Sequence, residues 1–295
     1  MLAFPKSVSN ICGFGFTDVG YGTANTNPDG ADKVKAQYPT FAFFFQPMAD
    51  EDGWVSLGSV ILNGLDAFNG DYIYQLRSSN ATHAGSEYQY FDRENVIAMF
   101  KFYDVDYDDE LVDACVGWWL GGFTGDPADK VDDVEFKVGS GFIGNIPAFQ
   151  NIDIQCNGEA KNKASNVNVT GQLYPTFGNP VPRDIKLGEL VVAGMDAFNG
   201  DYLYQLRSSN ATHAGSEYQY FDRENVIAMF KFYDVDYDDE LVDACVGWWL
   251  GGFTGDPADK IDDAVTIKTG ESHIGKLEFG SLAGETTVIS YPAAY

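Results

Sequence analysis

Hydrophobic and polar residues alternate along several stretches of this chain, and the alternation has the period of a strand. Six stretches in the first half carry it, or carry the aromatic and β-branched composition that goes with it: 54–63, 71–78, 86–91, 95–103, 134–138 and 151–155. Within 71–78, Tyr72, Tyr74 and Leu76 fall on one face and Ile73 on the other. Turn signals separate the runs at Asn69-Gly70, at Ala84-Gly85 and across the polar stretch 92–95. One segment departs from the pattern. Leu111, Ala114, Cys115 and Trp118 recur at helical spacing, with Asp108 or Asp109 placed to cap the start and Gly121 to end it. Gly117 weakens that helix.

The text then repeats. Residues 66–133 and 196–263 align without a gap and differ at two positions, Ile73 against Leu203 and Val131 against Ile261. Both changes conserve apolar volume. Outside the block the similarity decays: 55–68 matches 185–198, 142–146 matches 273–277, and Tyr-Pro-Thr-Phe occurs at 38–41 and 174–177. A repeat this long is a domain-sized unit rather than a solenoid turn. The polar stretch 156–173 reads as the end of the first module plus a linker. The expected fold class is mainly β: two tandem homologous modules of β-sandwich or jelly-roll type, each with one short helix. The expected boundaries are 1–160, with core block 66–133, and 161–295, with core block 196–263.

Composition narrows the function. Of 295 residues, 45% are hydrophobic and 15% aromatic, enough to fill packed cores. Asp and Glu number 44 against 18 Lys and Arg, for a formal net charge of −26. No basic cluster interrupts this acidity, which argues against nucleic acid or an anionic membrane surface as partner. No apolar run is long enough to cross a membrane, and the start of the chain lacks the apolar stretch of a signal peptide. A chain this negative repels its own copies, so any assembly must be driven by apolar area or by cations.

The candidate chemistry is sparse. Asp104, Asp106 and Asp108, with their counterparts Asp234, Asp236 and Asp238, begin like a calcium loop, but Asp109 stands where an EF-hand needs glycine and Cys115 where it needs Glu. They are weak calcium candidates, and a solvated acidic loop or helix start is the plainer reading. The string Gly-Trp-Trp-Leu-Gly-Gly-Phe occurs at 117–123 and 247–253. Adjacent tryptophans point different ways on any regular element, so one in the core and one in an interface is the economical reading. Trp118, Trp119, Phe123, Trp248, Trp249 and Phe253 are therefore the candidate assembly residues. A wholly buried pair and a sugar-stacking platform are the alternatives. The histidines are His83, His213 and His273, and no nucleophile elbow accompanies them. Paired carboxylates for glycoside cleavage are hard to exclude in so acidic a chain, yet a complete active site duplicated almost unchanged would be unusual. The reading is not an enzyme, with no cofactor expected. Asn80, Asn168 and Asn210 lie in glycosylation sequons. Cys115 and Cys245 read as buried free thiols, and a Cys12–Cys156 disulfide is left open.

Duplication gives one chain two copies of the same surface. If that surface meets another copy of the chain, the result is a lattice unit. An acidic, β-rich chain of two homologous modules, with Gly-Trp-Trp-Leu-Gly-Gly-Phe-Thr-Gly-Asp-Pro-Ala-Asp-Lys at 117–130 and 247–260, resembles the pyrenoid shell proteins of diatoms. Ala-Phe-Pro at 3–5 is similar to the phenylalanine-bearing processing site of diatom plastid proteins. The resemblance implies a protein sheet around the Rubisco condensate in the plastid stroma, supporting carbon dioxide fixation, with no catalytic residue. The expectation is a structural protein that assembles with itself. The alternatives are a two-module carbohydrate- or calcium-binding adhesin and a viral capsid or tail protein.

Overall fold

The computed structural model describes residues 12–15, 40–42, 45–46, 54–63, 65–76, 82–137, 139–145, 153–156, 159–160, 164–181, 183–204, 215–268, 270–280 and 284–293. The first part of the chain runs β1 (Cys12–Gly15), β2 (Thr40–Ala42), β3 (Phe45–Gln46), β4 (Trp54–Ser56), β5 (Val60–Asn63), β6 (Tyr72–Tyr74), β7 (Glu87–Phe91), α1 (Arg93–Phe102), α2 (Asp109–Cys115), β8 (Gly117–Leu120), β9 (Glu135–Lys137), β10 (Gly141–Asn145), β11 (Asp153–Cys156) and β12 (Glu159–Ala160). The second runs β13 (Ser165–Thr170), β14 (Thr176–Gly178), β15 (Ile185–Lys186), β16 (Val191–Ala193), β17 (Tyr202–Tyr204), β18 (Glu217–Phe221), α3 (Arg223–Phe232), α4 (Asp239–Cys245), β19 (Gly247–Leu250), β20 (Thr266–Ile267), β21 (Ser272–Lys276) and β22 (Thr286–Tyr291). The protein is mainly β, as the alternation predicts.

The same sheets form twice. A five-stranded antiparallel sheet has the order β2-β10-β6-β7-β8 in the first copy and β14-β21-β17-β18-β19 in the second. Three-stranded sheets, β1-β11-β5 and β13-β22-β16, accompany them. Each named sheet draws its strands from one side of residues 161–164. In the second copy, one apolar cluster joins Phe177, Leu203, Tyr218 and Trp248 of the larger sheet to Val169, Val192, Ile289 and Tyr291 of the smaller. That is the interleaved interior of a sandwich.

Several sequence expectations need correction. Residues 95–103 were expected to form a strand from their Val, Ile and Phe content, but they lie in and just beyond helix α1. The Asp92 carboxylate accepts a hydrogen bond from the Asn95 N–H at 2.8 Å, Glu94 sits in the first turn and Lys101 in the last. These are cap and dipole signals that outweigh β propensity. The buried residues Val96, Met99 and Phe100 keep helical spacing. The segment expected to be helical through Trp118 is helical over α2, and its second half is strand β8. Asp108, not Asp109, caps α2, accepting from the Leu111 N–H at 2.8 Å. The supposed linker 156–173 contains β13, whose valines alternate with Asn166 and Asn168 against six partners on β22. Its polar residues are the exposed face of a strand.

The two tryptophans of each copy lie in the core, which corrects their place in a candidate interface. A strand sends Trp118 and Trp119 to opposite faces, and both faces are covered, so both side chains are 0% exposed. The Trp118 indole N–H donates to the Val60 carbonyl at 2.8 Å, and its ring packs on Tyr90. The Trp119 indole N–H donates to the Cys115 carbonyl at 3.1 Å, and its ring joins Phe91, Val96, Met99 and Phe123 beneath the helices. Trp248 and Trp249 repeat the split, one in the sandwich cluster and one beneath α3 and α4. Phe123 is buried with them, and Phe253 packs at the edge of its cluster.

The turn from α2 into β8 is fastened by charge. Lys130 Nζ donates to the Val116 carbonyl at 2.7 Å and pairs with Asp132 at 2.8 Å, while the Asp132 carboxylate accepts the Trp118 backbone N–H at 2.8 Å. A Cβ on Gly117, at φ +144°, would stand 2.7 Å from the Asp132 carboxylate, so only glycine fits. Residues 117, 130 and 132 thus act as one device, repeated by Gly247, Lys260 and Asp262.

Replacing Trp119 by Ala removes the centre of a closed core. It is expected to cost about 3–5 kcal/mol of stability in urea denaturation, with the loss visible in the aromatic circular dichroism before any change in association is measured.

Candidate functional site

With the tryptophans inside, the surface chemistry of the repeated block rests on other residues. Asn95, in the first turn of α1, accepts the Phe68 backbone N–H at 2.9 Å and donates to the Leu65 carbonyl at 3.2 Å. This ties the helix to the 3-10 turn Ala67–Asn69 and sets Phe68 beside the helix end. The last turn of α1 then projects Phe102 and Tyr103 outward, 69% and 57% exposed. The Phe68 and Phe102 rings meet edge to face at 5.9 Å, and Phe102 and Tyr103 at 5.1 Å. Tyr107 stacks on buried Phe100 at 5.5 Å, which pins the following loop down.

The helix stops abruptly. Asp104 adopts a left-handed conformation, φ +54°, and the Val105 N–H reaches back to the Phe100 carbonyl at 3.0 Å. This is the reversal usually given to glycine. The loop 105–108 follows, and Asp108 starts α2. Arg93 at the start of α1 pairs with Asp109 at 2.5 Å and with Asp113, so the two helices are clasped side by side. The result is an aromatic tip, rimmed by exposed Asp104, Asp106, Asp108, Asp109 and Glu110.

The second copy builds the same tip. Phe232 and Tyr233 are exposed to the same extent, Phe232 meets Phe198 at 5.9 Å, and Asp234 repeats φ +54°. Residues of the tip were passed over in the sequence because Phe102 and Tyr103 were assigned to a strand. Their signal was the pair of adjacent aromatics standing directly before an acidic run.

Four of the six calcium candidates take ordinary structural roles, and Asp106 and Asp236 are exposed in the loops between the helices. Asp108 and Asp238 are helix caps, and Asp104 and Asp234 are helix-terminating residues. Among the described residues no group of three or more His, Cys, Asp or Glu is arranged to hold a metal ion. His213, Asn80 and Asn210 lie outside the described residues, while Asn168 is exposed on β13. Cys115 and Cys245 are buried free thiols, as expected. Among the described residues no helix is long and apolar enough to cross a membrane.

A second feature lies where the copies meet. Strands β2 and β10 pack against β14 and β21, Ser140 bridges to Phe177, and the Gly178 N–H donates to the Gly139 carbonyl at 3.0 Å. Gly141 permits the approach, since a Cβ there would stand 2.8 Å from Thr176. A cleft of about 450 Å³ opens at this seam, lined by Trp54, His83 and Lys137 from one copy and Asn166, Asn168 and Gln172 from the other. The Lys137 ammonium lies 4.9 Å from the centre of the Trp54 ring. His83 packs on Phe136 at 4.8 Å and shares a hydrogen bond with the Tyr88 hydroxyl at 3.0 Å. Burial lowers the His83 pKa, which favours the uncharged ring.

No protein-family model, curated protein or solved structure matches this chain.

Because Asp104 pays for a left-handed backbone, Asp104→Gly is expected to stabilise the first tip by about 0.5–1 kcal/mol, whereas Asp104→Val destabilises it. Thermal melts of the two variants against the parent chain check the sign of each.

Proposed function

We propose that this chain is a structural building unit that assembles with copies of itself, and that its two aromatic tips are the repeated contact. The supporting observation is that one exposed surface is made twice in the same chain. Packing explains why buried residues of the block stay matched. It does not explain why the exposed Phe102, Tyr103 and Asp104 reappear as Phe232, Tyr233 and Asp234 while the flanking segments diverge. A requirement on both tips to fit the same partner surface does.

The acidic rims oppose tip-to-tip contact, so each tip docks onto a different surface of the neighbouring chain. Such heterologous contacts, two per chain, extend into filaments, tubes or sheets. Burying one exposed Phe contributes about 1.5–3 kcal/mol, which is ample once repeated. The net charge of −26 works against association, and screening relaxes that at a Debye length of about 8–10 Å near physiological salt. The resemblance to diatom pyrenoid shell proteins supplies the setting within this proposal: a protein sheet around a Rubisco condensate in the plastid, structural rather than catalytic.

A second reading rests on the seam cleft. Its aromatic, amide and imidazole lining suits a neutral saccharide, as a carbohydrate-binding adhesin would need. Calorimetric saccharide binding by a chain that stays monomeric would favour it over the lattice.

The lattice reading is tested by light scattering and negative-stain microscopy. Raised salt and raised protein concentration are expected to bring on filaments or sheets, and a chain that stays monomeric throughout sinks the proposal. Phe102→Ser with Tyr103→Ser leaves one working tip and a chain that caps growing assemblies. The same changes in both copies are expected to raise the critical concentration at least ~10-fold with unchanged circular dichroism.

A further inference from the structure

The chain has four cysteines, and two of them, Cys115 and Cys245, are sealed in the cores. Burial pushes both of those thiols up from their ordinary pKa, which keeps them protonated and unreactive. The other two lie far apart in sequence, on strands β1 and β11. These strands pair antiparallel, and the register sets Cys12 directly opposite Cys156. β1 is the outer strand of the sheet β1-β11-β5.

The second copy has a matching sheet, and the comparison is informative. Ile154 faces Leu62 in the first copy as Ile289 faces Val192 in the second. Two residues further on, the rung that holds Cys12 and Cys156 is occupied by Ser165 and Tyr291. The second copy's outer strand, β13, is held along six rungs, from Ser165–Tyr291 to Thr170–Thr286. Among the described residues the first copy's outer strand is held along four rungs, one of which is the cysteine pair. The first copy's ladder sets two cysteines at directly opposed register positions.

Residues directly opposed in an antiparallel ladder share a face of the sheet, with Cα atoms about 4.5–5.5 Å apart. A disulfide spans about 4.4–6.8 Å between Cα atoms, so the register meets that requirement without any movement of the backbone. We propose that Cys12 and Cys156 form a cross-strand disulfide, a redox latch that holds β1 on the edge of β11.

The bond is made by exchange with a small disulfide such as oxidised glutathione. One cysteine thiolate attacks a glutathione sulfur, giving a mixed disulfide and releasing one glutathione thiolate. The second cysteine, as thiolate, attacks the protein sulfur of that mixed disulfide and releases the other. Two protein thiols are oxidised, one glutathione disulfide is reduced to two thiols, and the protons go to the leaving thiolates and the solvent. When the bond is open, β1 is held on β11 without a covalent link, and its departure uncovers the edge of β11 for pairing with another strand.

The test uses the full chain equilibrated with oxidised glutathione and then denatured. A thiol reagent is expected to count two reactive groups, rising to four after reduction. The oxidised chain is lighter by two hydrogens, and a non-reduced digest contains the peptides of Cys12 and Cys156 joined. Four reactive thiols, glutathione left attached to either residue, or a linkage that includes Cys115 or Cys245 overturns the proposal. The latch itself is read from stability. Reduction is expected to lower the melting temperature of the native chain by roughly 5 °C and to leave the Cys12→Ser, Cys156→Ser double variant unmoved. An equal response from both chains shows that the bond holds nothing in place.

Discussion

Two adjacent tryptophans on one short strand impose the constraint on which each copy depends. A strand sends consecutive side chains to opposite faces, so Trp118 and Trp119 can both be buried only if β8 is covered on both sides. The sandwich interior receives one ring, and the α1–α2 pair covers the other. The strand also needs a firm entry, because a helix ends two residues before it begins. Gly117, Lys130 and Asp132 provide that, with one carboxylate serving both a lysine ammonium and a backbone N–H. A charged group that is half shielded from water and doubly partnered holds its geometry well. The same strand and the same device recur at Gly247, Lys260 and Asp262.

Closing that core decides what is left outside. The helix that covers Trp119 has to end somewhere, and its last turn carries Phe102 and Tyr103 past the edge of the cluster into solvent. Asp104 turns the chain back, and Tyr107, stacked on Phe100, returns it to the core. The exposed tip is therefore a by-product of burial in its position, though not in its composition: Phe102 and Tyr103 pack on each other and on Phe68 but stay outside the closed core. The acid rim, set by the caps of α2 and by the loop before it, surrounds an apolar patch with negative charge. Such a patch is selective, since it rewards apolar contact and penalises a like-charged partner.

The two copies occupy different surroundings. Gly141 lets the first copy's sheet approach the second at Thr176 and Phe177, and the cleft at the seam takes its lining from non-equivalent elements of the two copies. The outer strands differ too, the rung of Cys12 and Cys156 in β1 and β11 being Ser165 and Tyr291 in β13 and β22. A single repeated core with divergent seams gives one chain two equal tips set in unequal contexts. That geometry suits the directional building unit proposed above, and the proposed disulfide would belong to the divergent part rather than the repeated one.

The sequence by itself determined the duplication, the mainly β class and, in the first copy, strands β4 to β7, β9 and β11, because period-two alternation and turn chemistry act locally. It also determined the buried thiols and narrowed the cap of α2 to Asp108 or Asp109, of which the structure uses Asp108. It misassigned 95–103, where Val96, Ile97 and Phe100 read as strand residues; the Asp92 cap was a local signal that pointed the other way, while the contact of Asn95 with Phe68 is made only in the folded chain. It could place one tryptophan of each pair inside but not both, since covering the second face takes helices that arrive from elsewhere in the chain. The tip was legible only as two aromatics before an acidic run. Whether those rings would be core or surface was settled by where the tertiary structure ended the helix, because exposure is a property of what packs against a residue and not of the residue itself.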